Sequence, residues 1–486
     1  MKKIFKLALQ FAPYAVFILL AARVAITREF PLPFDEKFHF GIINFYAHHI
    51  NPFFSQQSTS NDAYGALARD PSYLYQYLLS FPLRFMLAVH ATLVEQVITL
   101  RLISIALGAS TLYLVQRLAR QAGLSSAIGY VASFGLAITP VFSDLSGQIN
   151  YDNLLIPLIL VTVLMTLRLV AQIRSQRVQL GQLAGLMSLT LLTSLVMYSY
   201  LPIMLAIGLY VGIALWRYRS YRLLRNVVQD ALALRRVTQV VLVTLVVLST
   251  GLWVQRYGVN IVKYHTPHPQ CNVVLNVERC MSYGPWARNY GLHQVALAHP
   301  KALTPGAVKY FSHEWALIMY HDLFTDVTFT PTYQLVFSLH QAAMMVGDVV
   351  LGAALLWAVI RVRSVRQVNK VWWLGGLIVV SYVVVLWIQN FSDFYNLHQF
   401  IAVQGRYLLP ILPFAYIAAA GVLNDCLFTT RRFVNQSNLN LLPVGMTFGV
   451  RARNQLLQQL QVVRAGLQGH SLSSSNAHKS YTLTLR

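Results

Sequence analysis

Charge is what this sequence has least of. Asp, Glu, Lys and Arg make up 11% of its 486 residues, against roughly a quarter in an ordinary soluble domain. A water-soluble fold with a conventional polar surface is thereby excluded. Acidic residues are scarcer still, 16 against 38 Lys and Arg. There are three cysteines, Cys271, Cys280 and Cys426, and their spacing matches no metal site. The glycine fingerprint of dinucleotide folds and the P-loop are both missing, which argues against a dedicated cytosolic nucleotide domain. No residue-level internal repeat stands out.

Apolar residue types fill the space, at 56% of the chain. Several runs approach or exceed the roughly 20 residues that span a bilayer, so the sequence reads as an all-α polytopic membrane protein. The net charge of +22 invites a nucleic-acid reading. Its placement argues otherwise, because the cations sit in short segments between apolar runs, the positive-inside pattern. Membrane phospholipids are the partners these segments suit, not nucleic acid. The start, Met1-Lys2-Lys3-Ile4-Phe5-Lys6, resembles the basic end of a signal peptide. No convincing cleavage site follows, so it reads as the cytoplasmic anchor of a first span.

About ten spans are expected. The first covers about 9–27, and a large external segment, 29–97, follows it. Within that segment the stretch at 74–92, with Tyr73 just before it and Tyr75, Tyr77 and Arg84 in it, suits one or two interfacial helices. As a full span it would turn Arg117, Arg120, Arg174 and Arg177 outward. Further spans are expected at about 98–117, 125–142 and 154–172, then a tight pair over 182–216 broken near Pro202. A basic cytoplasmic segment, 217–236, precedes a seventh span at about 237–255. A second external loop, 256–335, holds Cys271 and Cys280 together, so a disulfide between them is expected. An eighth span at about 336–360 contains Asp348, which needs a partner or a water-lined face. A ninth, about 371–388, leads through an external turn, 391–403, to a tenth that opens at Gly405-Arg406. The basic tail, 426–486, is expected to be partly disordered. In this topology only Asp230 and Asp425 lie on the inner side and Asp348 lies in a span. The other thirteen acids fall on or near the outer side, so the polar work is expected there.

The stretch Pro33-Phe34-Asp35-Glu36-Lys37-Phe38-His39 puts two adjacent carboxylates and a histidine where the chain leaves its first span. Carboxylates are expensive in lipid, which places them in a loop or a water-filled cavity. One could take a proton from an attacking hydroxyl; the other could orient the acceptor or raise its neighbour's pKa by like-charge repulsion. Adjacent residues do not face alike on a helix or strand, so the two are not expected to share one task. His39, four residues after Asp35, falls on the same face of a helix and could bond Asp35 or a phosphate. Asp35 with His39 is too little to fix a metal site, and a divalent cation is left open. Arg406, with His398 nearby, could hold a lipid-borne phosphate while its stem stays in the apolar layer. Arg101 and Arg84 are further phosphate or headgroup candidates. Asn150, Asp152 and Asn153 form a compact polar turn that could bind sugar hydroxyls or start the following helix. Glu314, His321 and Asp322 share the outer side and could reach an acceptor.

Three motifs, Pro33-Phe34-Asp35-Glu36-Lys37-Phe38-His39, Asn150-Tyr151-Asp152-Asn153 and Gln404-Gly405-Arg406-Tyr407-Leu408-Leu409-Pro410-Ile411-Leu412-Pro413, resemble the GT-C superfamily of integral-membrane glycosyltransferases. They are most similar to its DUF2142-type bacterial membrane protein family. The resemblance covers roughly 8–425 and is most specific in the third motif. It implies a GT-C-like transmembrane domain over 1–425, with a catalytic acid in the first external loop and juxtamembrane helices after it. Asp35 matches the first-loop base of the superfamily and Glu36 the companion acid of some branches. Asp70-Pro71-Ser72-Tyr73-Leu74-Tyr75 looks like the Pro-Pro-Leu-Tyr-Tyr segment that follows the loop, and departs from it at Ser72 and Tyr73. The long soluble C-terminal domain of oligosaccharyltransferases has no counterpart here.

The activity this implies is inverting transfer of a sugar from a polyprenyl-phosphate donor to an extracytoplasmic glycan or glycolipid, in a bacterial inner membrane. Asp35 and Glu36 would be catalytic. Arg406, His398, His39 and Arg101 would hold donor phosphate, and Asn150, Asp152, Asn153, Glu314 and Asp322 would hold sugar or acceptor. A flippase for the same lipid, which inverted repeats or broken helices would favour, and a non-catalytic subunit of an envelope polysaccharide complex are the alternatives.

Overall fold

In lipid, a backbone must satisfy its own hydrogen bonds, and a helix does so within one segment. The apolar runs of this chain accordingly form helices. The structure is a computed structural model that describes residues 2–32, 35–300, 302–324, 346–347, 349, 352–353 and 370–423. The chain divides into two units, Met1–Cys426 and Leu427–Arg486. The expected eighth span with Asp348 and the basic tail lie largely or wholly outside the described residues.

The helices are α1 (Lys2–Thr27), α2 (Glu36–His48), α3 (Leu74–Ala88), α4 (Leu93–Gln121), α5 (Ser126–Ala137), α6 (Pro140–Ser146), α7 (Asp152–Arg174), α8 (Leu180–Val196) and α9 (Leu201–Tyr218). They continue as α10 (Tyr221–Ala233), α11 (Arg236–Trp253), α12 (Val259–Tyr264), α13 (Cys271–Val274), α14 (Val277–Cys280), α15 (Gly284–Ala298) and α16 (Pro305–Phe324). Two more, Lys370–Leu397 and Leu412–Leu423, follow. Among the described residues six helices are long and apolar enough to cross a membrane, and a seventh span forms if α5 and α6 count as one. α8 and Leu412–Leu423 are shorter apolar helices. The protein is an all-α, multi-pass membrane protein.

Local chemistry sets the boundaries. Thr92 and Glu95 close a reciprocal capping box at the start of α4, satisfying N–H groups that have no partner within the helix. The expected third span is broken instead, α6 leaving α5 at 74°. Pro140 opens α6, and the residue before a proline is pushed out of the helical region; Thr139 has ψ 117°. α8 and α9 part at Met197, which is extended.

Two spans outrun their expected ends. α11 continues through a π turn, Val254–Gly258, into α12 and so reaches Tyr264. Arg256, which should have marked water, is fully buried. Its guanidinium donates to Leu67 O, Ala68 O and, at 2.8 Å, Pro52 O. It also lies 4.5 Å from the centre of the Tyr73 ring. The second external loop therefore begins near 265, and the Lys370–Leu397 helix takes up much of the expected 391–403 turn.

The 74–92 stretch gives α3, 15 residues and so about 22 Å long, short of the roughly 30 Å hydrocarbon core. It packs on α2, and Arg84 donates to Tyr46 O at 2.6 Å and His49 O at 3.1 Å. Arg84 thus caps the carbonyl end of α2. Arg101, two turns into α4, and Ile149, just before α7, both meet Glu36, and beyond that point the two helices run side by side.

Candidate functional site

The adjacent carboxylates part company. Glu36 opens α2 fully buried. Arg101 grips it with two bonds, Nε to Oε1 at 2.8 Å and a terminal nitrogen to Oε2 at 2.7 Å. The backbone N–H of Leu32 donates to Oε2 at 2.8 Å and that of Ile149 to Oε1 at 3.2 Å. A carboxylate offers about four acceptor positions, and all are taken. Arg101 also donates to Ala25 O at 3.0 Å and Arg28 O at 2.8 Å, closing the carbonyl end of α1. A buried ion pair holds only when its remaining groups are bonded, and here they are. This corrects two expectations. Glu36 has no lone pair left for an acceptor hydroxyl, and Arg101, 2% exposed, has no face for a phosphate. Together they lock α1, α2, α4 and the turn before α7.

Asp35 faces the other way. It sits in left-handed backbone, φ 70° and ψ 21°, a region that Asp tolerates better than most residues. Its side chain is 53% exposed, and Oδ2 accepts from an Arg406 terminal nitrogen at 2.8 Å. Among the described residues Oδ1 has no bonded partner. Arg406 is otherwise buried, on the short turn Gly405–Leu408, and donates to Tyr407 Oη at 3.3 Å. Gly405 lets that turn lie against α16. A Cβ there would stand 2.4 Å from Leu323 N and 2.7 Å from the Asp322 carbonyl carbon.

His39 lies one turn beyond Asp35, buried edge-on to Tyr151 with ring centres 4.8 Å apart. The Gln76 amide faces its Nδ1 at 3.3 Å. With the amide NH2 turned toward Ser72 O and Tyr73 O, the Gln76 amide oxygen accepts a hydrogen bond from Nδ1–H, an assignment made from the bonding network. Nε2 then carries a lone pair, and it has no partner among the described residues. Burial lowers the pKa of His39 from 6.5 to about 3; the Asp35 charge opposes this and the Arg406 charge adds to it. A neutral ring with a lone pair inward cannot donate to phosphate through that nitrogen, which corrects the donor-phosphate expectation for His39.

The Asn150 turn is structural on two of its three members. Asn150 Oδ1 accepts from Asp152 N at 2.9 Å, and Asn153 Nδ2 donates to Leu145 O at 2.9 Å and Gln148 O at 3.1 Å. Both asparagines are buried, so these bonds hold backbone rather than sugar. Asp152 is also buried, within electrostatic reach of Arg406. Among the described residues no hydrogen bond or ion pair joins His398, Glu314 or Asp322 to Asp35. Glu314 faces the neighbouring His313 at 3.2 Å and Asp322 the neighbouring His321 at 3.6 Å.

In the roof above the site, the expected disulfide is present, and the contacts beside it are what sequence reasoning missed. Cys271 and Cys280 are joined by a disulfide, which ties α13 to α14. Next to it Arg279 grips buried Asp62 through two bonds, at 2.7 and 2.6 Å, and donates to Gln57 O at 2.7 Å. Tyr283 lies over Gly65 and stacks on Phe38 of α2, ring centres 5.7 Å apart. Burial raises the Tyr283 pKa, and the charges of Asp70 and Asp35 raise it further, which puts its hydroxyl in the field of Asp35. Nothing in the spacing of Asp62 and Arg279 pairs them. Tyr407, beside Arg406 in the third motif, was the one neighbour within reach. Among the described residues no three His, Cys, Asp or Glu side chains group to hold a metal ion.

No family model matches the chain, the DUF2142-type family included, and no curated protein matches it. Among solved structures it is similar to the archaeal oligosaccharyltransferase AglB from Archaeoglobus fulgidus, in complex with an inhibitory peptide and a dolichol-phosphate. Identity is 14% and the TM-score 0.40, over 97% of this chain and 57% of that one. This chain thus spans a little more than half the length of that protein.

Proposed function

We propose that this protein is an inverting glycosyltransferase of the GT-C type, using a polyprenyl-phosphate sugar at the membrane boundary formed by residues 28–32, 35–40 and 405–408. The observation that carries the reading is the Asp35–Arg406 contact, 2.8 Å across 371 positions of sequence. It joins a solvent-accessible base to a buried cation on a short turn. In the reaction the acceptor hydroxyl oxygen attacks the anomeric carbon while the bond from that carbon to the phosphate oxygen breaks. The lipid phosphate leaves, and the hydroxyl proton passes to Asp35.

Arg406 offers the leaving phosphate a charged, partly desolvated donor, strongest where charge develops in a dry site. Donor binding would draw Arg406 from Asp35 and release the carboxylate as base. Tyr407 Oη accepts from Arg406 at 3.3 Å, and Tyr283, in the field of Asp35, would meet the acceptor. The site would face the extracytoplasmic side of a bacterial inner membrane, with a glycan or glycolipid as acceptor.

The test is turnover of a polyprenyl-phosphate sugar by the purified chain and by Asp35→Asn and Arg406→Gln. The reading expects a loss of about 100-fold or more for Asp35→Asn, the scale of a general base. Unchanged turnover in that variant would remove Asp35 from the role. A second reading, movement of the same lipid across the bilayer without bond transfer, is favoured by the 74° break between α5 and α6 and the break at Met197. Discontinuous helices line transporter sites. Lipid translocation in vesicles by Asp35→Asn at the wild-type rate, with no transfer product, would select it.

A further inference from the structure

A second basic site stands at the opposite end of the bundle. α4 and α7 flank an open groove of about 480 Å³. Arg117 and Arg120 line it from α4, and Arg168 lines it from α7. Arg117 lies 16 positions beyond Arg101, and Arg168 lies 16 beyond Asp152. Both are therefore about 24 Å of helix from the Glu36 level, which brings them to one height. None of the residues lining the groove is acidic.

Three guanidinium groups sharing one groove repel each other unless an anion joins them. Two are held ready. Arg117 Nε donates to Tyr113 Oη at 2.8 Å, and Arg120 Nε donates to Gln116 O at 3.3 Å. The terminal nitrogens of both then remain for a ligand. The rest of the wall includes Leu114, Val161 and Leu164, on helices apolar enough to span a membrane.

Arg168 sharpens the case. It stands six residues before the end of α7, about 9 Å inside the helix terminus. An arginine at that depth faces a polar cavity or reaches for the interface. The end of α9 lies at the same level, since Gln176 Nε2 donates to Tyr218 O at 2.9 Å. From there α10 presents an exposed stripe of Tyr221, Leu224, Val228 and Leu232, flanked by Arg222 and Arg225. That pattern suits a helix lying on an anionic membrane surface.

We infer that the α4–α7 groove binds the headgroup of an anionic glycerophospholipid, with its phosphate among Arg117, Arg120 and Arg168 and an acyl chain along Leu114 and Leu164. Basic pockets between spanning helices recognise such headgroups. This site is separate from the Asp35 site and does not depend on the reaction assigned there.

The experiment is a calorimetric titration of the full chain in a neutral detergent with dioctanoyl phosphatidylglycerol. Dioctanoyl phosphatidylcholine and inorganic phosphate are the comparators. Saturable phosphatidylglycerol binding is expected, with both comparators at least about ten-fold weaker. Arg168→Gln should weaken it about five-fold, the worth of one cation near an anionic surface, and Arg168→Lys should restore most of that loss. If Arg168→Gln is not monodisperse, Arg117→Gln, exposed on α4, takes its place. Equal binding of phosphatidylcholine, or unchanged binding in the glutamine variant, would overturn the site. Inorganic phosphate binding as tightly as the lipid would overturn the lipid assignment.

Discussion

Replacing Glu36 by glutamine tests the division of labour between the two adjacent carboxylates. The amide keeps the shape of the side chain but removes its charge and turns one acceptor into a donor. Arg101, 2% exposed, would then face a neutral group across 2.7 Å. One of the four donors now meeting Glu36 would meet an N–H instead. Breaking a buried pair from one side costs about 3–5 kcal/mol, because the remaining charge stays buried and uncompensated. Asp35→Asn is the control. Arg406 is 5% exposed but the carboxylate is half exposed, so water screens the pair from one side and the amide oxygen can still accept from Arg406, which puts the cost below that of Glu36→Gln and nearer the roughly 0–1 kcal/mol of exposed pairs. The assay is the apparent melting temperature of each purified variant in one detergent at one scan rate, since unfolding of such chains is often irreversible. Glu36→Gln should melt well below the parent, and Asp35→Asn close to it while losing turnover. Equal melting of Glu36→Gln and the parent would refute the structural role given to Glu36. Equal destabilisation of both variants would refute the contrast between them.

Three further outcomes follow from the geometry. Gly405→Ala puts a methyl group 2.4 Å from backbone in α16, so the turn bearing Arg406 must move; turnover should fall at least about ten-fold, the scale of a small misplacement at a reacting centre, and wild-type turnover would show that Arg406 needs no such placement. His39 has a pKa lowered from 6.5 to about 3, so between these values the unfolded chain binds the extra proton. Stability from this group is complete above pH 6.5 and declines as pH falls toward 3; His39→Gln should flatten that part of a melting-temperature profile, and an unchanged profile would count against a buried neutral ring. Asp62→Asn weakens the two-bond grip of Arg279 and should speed limited proteolysis within 265–283, with cleavage at the parent's rate showing that the roof stands without it.

Much of the fold was legible because lipid leaves little choice. Apolar runs of span length had to become helices, and the cations between them set their ends. Reasoning failed where a charge was not at a boundary. Arg256 opened the expected loop after the 237–255 span, yet it is buried, bonded to three carbonyls and set over the Phe53 and Tyr73 rings. Such a cation is satisfied by backbone from 52–68, a partner that no local pattern announces. The break at Pro140 was legible in principle, since a proline sat inside the expected span. The apolar run across it hid the bend.

The site was legible in its residues and not in their assignments. Asp35, Glu36, Arg101 and Arg406 were all named as charges near one boundary. What the sequence could not say is which cation meets which acid. That depends on α2 starting at Glu36. Once Glu36 is the first residue of a helix, its side chain turns in toward α4, and the residue before it is free to take left-handed backbone and point out. Arg101, two turns into α4, meets the buried acid; Arg406, on a turn held against α16 by a residue with no side chain, meets the exposed one. A one-residue shift in the start of α2 would turn both side chains by about 100° and leave neither acid against its present partner. The chemistry proposed for Asp35 is therefore a consequence of where one helix begins.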